Sequence, residues 1–274
     1  MESPLLMIKE STSEPDYLPV KSFKDAKHSL SFSSSSIYAG HVGDIELSSI
    51  SVFQGVIASI CFHLLYGMSI ALVTLCGQAY GAGQIEHTGI YVQRSWIVLT
   101  ATCIIILPLH IYATPILEFL GQDKDIADLA GTYSIKVIPN MFSLAIRHPI
   151  MRFLEAQSKV KVITFISFLA LLLENVLFYI FIYVFGWGTT GLAMANNLTG
   201  WVVAVALVVH TVGWCKEGWR GLSWLAFKDL WAFTRLSLAS SVMNCLQNLN
   251  VTCIILLAGQ LDNPVIVVGS YSIW

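Results

Sequence analysis

The run VITFISFLALLLENVLFYIFIYVF, Val162 to Phe185, holds one charged residue, Glu174, in 24 positions. Wound as an α-helix at 1.5 Å per residue it reaches about 36 Å, more than the roughly 30 Å hydrocarbon core of a bilayer. Length and composition together predict a membrane-spanning helix. The pattern repeats on both sides. Ile50 to Leu75, Ser95 to Leu117, Thr189 to Cys215 and Leu236 to Leu261 contain no Asp, Glu, Lys or Arg, and Leu129 to Ile146 contains only Lys136 and is expected to extend past Pro149. These six runs predict six spans, and a seventh apolar run, Val265 to Trp274, lies at the end of the sequence.

The whole chain composes accordingly. Of 274 residues, 55% are hydrophobic and 12% charged, with a mean hydropathy of +0.69, against about 25% charged in an ordinary soluble domain. A net charge of −2 and 15 thinly spread Lys and Arg residues leave no basic face for nucleic acid, which is excluded as a partner. Six cysteines, Cys61, Cys76, Cys103, Cys215, Cys245 and Cys253, have neither paired spacing nor a C-x-x-C, and read as free thiols rather than a disulfide framework or a zinc site. The seven histidines, His63 and His110 among them, lack metal-ligand spacing, and no Ser/His/Asp grouping occurs. No cofactor, metal or catalytic residue is expected, and an intramembrane enzyme is disfavoured.

Residues 1–38 form a polar, serine-rich segment expected to be disordered, with no cationic start leading into an apolar stretch and hence no signal peptide expected. Placing the segment Gly77 to Arg94 in the cytosol puts Arg94, Arg147, Arg152, Lys159, Lys161, Lys216, Arg220, Lys228 and Arg235 inside and only Lys124 outside, a strong positive-inside asymmetry. Trp214, Trp219, Trp224 and Trp231 interleave with these cations in the connection 216–235, as in a segment lying at headgroup level. With six spans this orientation leaves the lysine-bearing N-terminus outside, as though one span were missing where the short, polar stretch Ser29 to Ile45 stands. Ala39-Gly40-His41-Val42-Gly43-Asp44 is echoed by Ala258-Gly259-Gln260-Leu261-Asp262-Asn263, which fits a duplicated bundle whose second copy has begun.

GMSIALVTLCGQAYGAGQ (Gly67 to Gln84) and GIYVQRSW (Gly89 to Trp96), with AGHVGDIEL from Ala39, ATPILEFLGQ from Ala113, RFLEAQSKV from Arg152 and LLAGQLDNP from Leu256, resemble the multidrug and toxic compound extrusion (MATE) family in its plant DETOXIFICATION branch. The resemblance implies an all-α polytopic membrane protein of two six-helix lobes around a central cavity. It implies export of organic solutes, xenobiotics or small anions in exchange for H+ or Na+, across the vacuolar or plasma membrane of a plant cell. On that pattern residues 39–215 are an N-terminal lobe of about five spans with its first helix largely missing. Residues 216–235 are a cytosolic interfacial connection, and 236–274 the start of the second lobe. Plant members carry Cys-Leu-Glu in the seventh helix, where this chain has Cys245-Leu246-Gln247, and an amide cannot exchange a proton near neutral pH.

Glu174 is the residue whose type says most, since a carboxylate at mid-span costs several kcal/mol unless protonated, paired or wet. It reads either as a cation or proton site or as half of a static pair with Lys136, which lies at equal depth if the two spans form a hairpin turning near Glu155. Asn197, Asn244, Gln247 and Asn248 read as ligands for a polar solute or as hydrogen bonds between helices. Gly77, Gln78, Gly81 and Gly83 have no preceding strand or following Lys-Ser/Thr for a phosphate loop and are expected to make a tight turn between spans. Pro108, Pro139 and Pro149 are candidate hinges or simple kinks. Three readings stay open: a coupled transporter, a passive channel-like path for anions or solutes, and a truncated product unable to transport.

Overall fold

The computed structural model describes residues 34–258, and side chains up to Gln247; residues 1–33, the side chain of Asn248, the second copy of the echo beyond Ala258 and the seventh apolar run lie outside the described residues. The described chain is helical: α1 (residues 34–42), α2 (Asp44–Gly81), α3 (Thr88–Ile111), α4 (Ala113–Phe119), α5 (Lys124–Ala156), α6 (Val160–Tyr179), α7 (Gly188–Trp214) and α8 (Leu230–Ala258). Among the described residues, four stretches are long and apolar enough to span a bilayer, Asp44–Gly81, Ile85–Ile111, Val160–Val184 and Gly188–Trp214. The expected third span is α5, which extends past Pro149 through 33 residues.

Two boundaries differ from expectation. Residues 34–38, assigned to the polar tail, are helical, and α1 folds back at Gly43 so that Gln54 Nε2 donates to Ser35 Oγ at 3.0 Å. Its nine described residues rise about 14 Å. The expected span Ser95 to Leu117 breaks at Tyr112 into α3 and α4, because the ring of Pro115 would strike the carbonyl of Ile111 in a continuous helix but is tolerated in the first turn of α4.

Helix α6 shows how sequence sets orientation. Ile163, Ser167, Ala170, Glu174 and Phe178 are buried at helical spacing on one stripe, while Phe165, Phe168, Leu169, Leu172, Val176 and Tyr179 are exposed on the others. Only the stripe bearing the carboxylate faces inward. Helix α5 is central, lying against α2, α3, α4 and α7. Helix α7 packs closely along it while α6 barely touches it, so the assumption that α5 and α6 pack as a simple hairpin fails.

The apolar interior is split into two clusters. One contains Leu65, Leu99, Met141, Ile150, Phe153 and Leu207, the other Ile50, Phe53, Leu117, Tyr133, Phe178 and Leu192. The seam falls on polar residues in helix after helix: His110 between Ile106 and Ala113, Asn140 between Tyr133 and Met141, Glu174 between Ala170 and Phe178, Asn196 and Asn197 between Ala195 and Val203. A polar layer therefore interrupts the core at mid-depth. The π-helical turn Gln54–Ala58 in α2 borders the same layer, as such turns do at functional sites.

At one end of the bundle the connection following α7 closes over the α2–α3 turn. Arg220 pairs with Glu86, Gln93 exchanges hydrogen bonds with Gly221 and Ser223 at 2.8 Å each, and Arg94 Nη2 donates to the Leu225 carbonyl at 3.2 Å. Lys159 joins them through Cys215. Of the nine cations counted on one face, Arg94, Lys159 and Arg220 gather at this end, while Arg147 and Arg152 lie inside α5 and line the cavity, which leaves seven against Lys124.

Candidate functional site

A cavity of about 730 Å³ opens at the seam, within the usual size range of small-molecule sites. Helix α2 lines it with Gln54, Phe62, His63 and Tyr66, α3 with His110, and α5 with Tyr133, Asn140, Arg147, His148, Arg152 and Glu155. Glu174 comes from α6, Asn196 and Thr199 from α7, and Asn244 from α8.

Of the residues singled out in the sequence, the cavity gathers Glu174 and Asn244. Glu174 is 6% exposed, and its charge and that of Arg147 act on one another. Asn244 lines the wall while its Nδ2 donates to the His63 carbonyl at 3.0 Å, lacing α8 to α2 beside Ser241 Oγ, which donates to the Leu64 carbonyl at 3.1 Å. Gly67 permits this lacing, since a Cβ there would stand 2.6 Å from Ser241 Cα.

The wall omits Lys136, Asn197 and Gln247. Lys136 Nζ donates to Thr190 Oγ1 at 2.6 Å, and no ion pair joins it to Glu174 among those of the described residues. The expected pairing is corrected on the ground already given: α7, bearing Thr190, stands beside α5 where α6 was assumed. Gln247 is exposed on α8.

Asn197 repairs the backbone of α5. Its Oδ1 accepts from the Asn140 N–H at 3.0 Å and its Nδ2 donates to the Lys136 carbonyl at 2.7 Å, the two groups that would bond each other in an unbroken helix. Pro139 sits between them, and the amide of α7 splices the gap; Trp201 Nε1 adds a bond to the Pro139 carbonyl at 3.1 Å. This is how a proline is tolerated in a membrane helix. Neighbouring Asn196 faces the cavity instead and donates to Tyr133 Oη at 3.0 Å.

Sequence reading missed the charges on the inner half of α5. Arg152 donates Nη1 to Glu155 Oε2 at 2.9 Å and Nε to Ser69 Oγ at 3.4 Å, and its guanidinium lies 4.4 Å from the centre of the Tyr66 ring, a cation–π distance. Both arginines had been counted as loop charges; their spacing from Leu129 in an extended helix was the available signal.

Gly77, Gln78 and Gly81 end α2, and Gly83 makes the turn that follows. Gly83 has φ +72°, its N–H bonds the Tyr80 carbonyl at 3.1 Å and the Gln84 N–H the Ala79 carbonyl at 2.8 Å, the paired bonds of a Schellman end. Gly77 and Gly81 have open space where a Cβ would stand, so of the three glycines only Gly83 is demanded by backbone conformation.

Long apolar helices around a polar internal cavity define a polytopic membrane protein. The chain belongs to the MatE family, whose model matches residues 26–181. It is 45% identical to Protein DETOXIFICATION 34 of Arabidopsis thaliana, over all of this chain and 55% of that protein. It is 48% identical to Protein DETOXIFICATION 35 of the same plant, over 95% of this chain and 58% of that one. Among solved structures, the eukaryotic MATE transporter AtDTX14 superposes with a TM-score of 0.79 at 30% identity, over 90% of this chain and 56% of that one. The outward-facing conformation of a multidrug resistance MATE family transporter gives 0.71 at 18% identity, a likeness of fold. The chain spans little more than half the length of these relatives. The relative AtDTX14 is a MATE transporter, and the enzyme reading is dropped.

Proposed function

We propose that the chain forms the cavity-bearing lobe of a MATE-type secondary transporter, exporting an organic solute or xenobiotic in exchange for H+ or Na+ across a plant vacuolar or plasma membrane, with its basic end in the cytosol. One observation carries the reading: Glu174, a carboxylate in the middle of a span, is turned into a cavity rather than toward lipid, where gaining or losing a cation changes the charge of the wall. Asn244 and Asn196 offer amides to the solute, while Lys136 and Asn197 support the wall from behind through α5.

Uptake into vesicles containing the full chain, with and without an imposed pH gradient, tests this. The expected result is weak gradient-driven flux that Glu174→Gln abolishes. Robust gradient-driven flux unaffected by Glu174→Gln overturns the role of Glu174. A second reading, a passive path for solutes, is favoured by the exposed amide of Gln247 where plant members carry a carboxylate; it is distinguished by flux indifferent to the gradient and to Glu174→Gln. A chain that inserts but passes no solute is the transport-incompetent product.

A further inference from the structure

The inner half of α5 presents more hydrogen-bond donors to the cavity than the protein uses. Arg147 stands about 14 Å along the helix from Ala156, within the membrane-spanning bundle, and lines the cavity. Among the described residues its guanidinium makes no hydrogen bond and no ion pair. Glu174 acts on it through its charge without closing an ion pair. Five residues on, Arg152 has Nε and Nη1 committed, yet its Nη2 is buried without a hydrogen-bond partner. A guanidinium carries five donors in a planar fork that matches an oxyanion, and burying it with those donors unused is costly. Glu155 neutralises Arg152, so the wall's unspent positive charge is that of Arg147.

Beside these donors the wall is aromatic. Phe62 and Tyr66 stack with ring centres 5.5 Å apart, and Tyr66 also underlies Arg152. We infer that the cavity binds an aromatic carboxylate, its carboxylate on the Arg147 fork and the free Arg152 Nη2, its ring against Phe62 and Tyr66. The inference rests on the cavity being the solute path, and it names the class of solute. Glu174 is then the competitor for the same guanidinium: a carboxylate on the ligand and a carboxylate on α6 seek one cation.

Equilibrium binding of radiolabelled benzoate to the purified full chain in lipid nanodiscs tests it, with neutral benzamide and cationic benzylammonium as competitors. Benzoate is expected to bind, benzylammonium not to displace it, and Arg147→Gln to weaken it about tenfold or more, a larger loss than that for benzamide. Arg147→Lys, which keeps the charge and loses the fork, falls between. Glu174→Gln tightens benzoate severalfold. Where Arg147→Gln alone does not fold, the charge-balanced pair Arg147→Gln with Glu174→Gln is compared with Glu174→Gln, and the same tenfold loss is expected. No benzoate binding by the unaltered chain, equal benzoate affinity after loss of Arg147, or tighter binding of benzylammonium than of benzoate each overturns the inference. Arg147-dependent binding without any flux upholds the anion site and defeats the transport reading; flux without benzoate binding does the reverse.

Discussion

Around Pro139 and around Pro149, α5 loses a backbone donor twice in a dozen residues and meets the loss in different ways. At Pro139 the neighbouring helix fills the break: the Asn197 amide takes both the Asn140 N–H and the Lys136 carbonyl, and Trp201 takes the Pro139 carbonyl. At Pro149 the strut comes from the other flank, where Trp96 Nε1 donates to the Ile146 carbonyl at 3.0 Å, and the face toward the cavity carries Arg147, His148 and Arg152. The first region spends its polar groups on the fold, and the second leaves guanidinium donors of Arg147 and Arg152 unused at the cavity. The difference teaches that a polar residue within a span is classified by what its neighbours leave unsatisfied, not by its type.

The sharpest way to break this comparison uses two adjacent residues of one type. Asn197→Leu strands a backbone N–H and a carbonyl inside the bundle, at about 1–3 kcal/mol each, and should cost about 3 kcal/mol. Asn196→Leu removes only the bond to Tyr133 and should cost about 1 kcal/mol, with its main effect on solute binding. Unfolding of both variants in the same detergent measures this; equal losses would mean that the splice at Pro139 is not what holds α5 to α7.

Charge pairs sharpen it next. Arg147 and Glu174 face one cavity and feel each other, so the stability losses of Arg147→Met and Glu174→Gln should fail to add by about 1 kcal/mol. Lys136 is held by Thr190, so Lys136→Met and Glu174→Gln should add within about 0.5 kcal/mol. Coupling in the second cycle and none in the first would reverse the assignment of the partner of Glu174.

Much of this was legible in the sequence. The apolar runs marked the long helices, the lone carboxylate of Val162 to Phe185 fell on the inward stripe, and Gly83 fell in a turn. What escaped depended on spatial order. Equal depth in a hairpin made Lys136 the mate of Glu174, and nothing along the chain says that α7 lies against α5. Asn196 and Asn197 are indistinguishable until the rotation of α7 is known, because 100° of helix separates a cavity ligand from a backbone splice. Arg147 was hidden by being charged, since a cation near the end of an apolar run reads as loop until the run is seen to continue as helix to Ala156. Pro115, within Ser95 to Leu117, was a local signal that went unused.

The smallest effect tests how the cavity-facing half of α5 ends. Its last turn closes as that of α2 does, with the Ser158 N–H on the Glu155 carbonyl and the Lys159 N–H on the Leu154 carbonyl, both at 2.9 Å, but the left-handed position is held by a serine at φ +57° instead of a glycine. A residue with a Cβ pays roughly 1–2 kcal/mol there, and glycine in its place returns about 0.5–1 kcal/mol of that through the greater freedom of the unfolded chain. Ser158→Gly should therefore stabilise by a few tenths of a kcal/mol, whereas Gly83→Ala, the same exchange run backwards at the matching turn, should destabilise by a similar or slightly larger amount. Melting of the two variants beside the unaltered chain reads both signs at once. A loss on Ser158→Gly would show that the serine side chain holds the α5–α6 turn by an interaction stronger than its backbone strain, which would make the end of the cavity-facing half a fastened element like the region around Pro139.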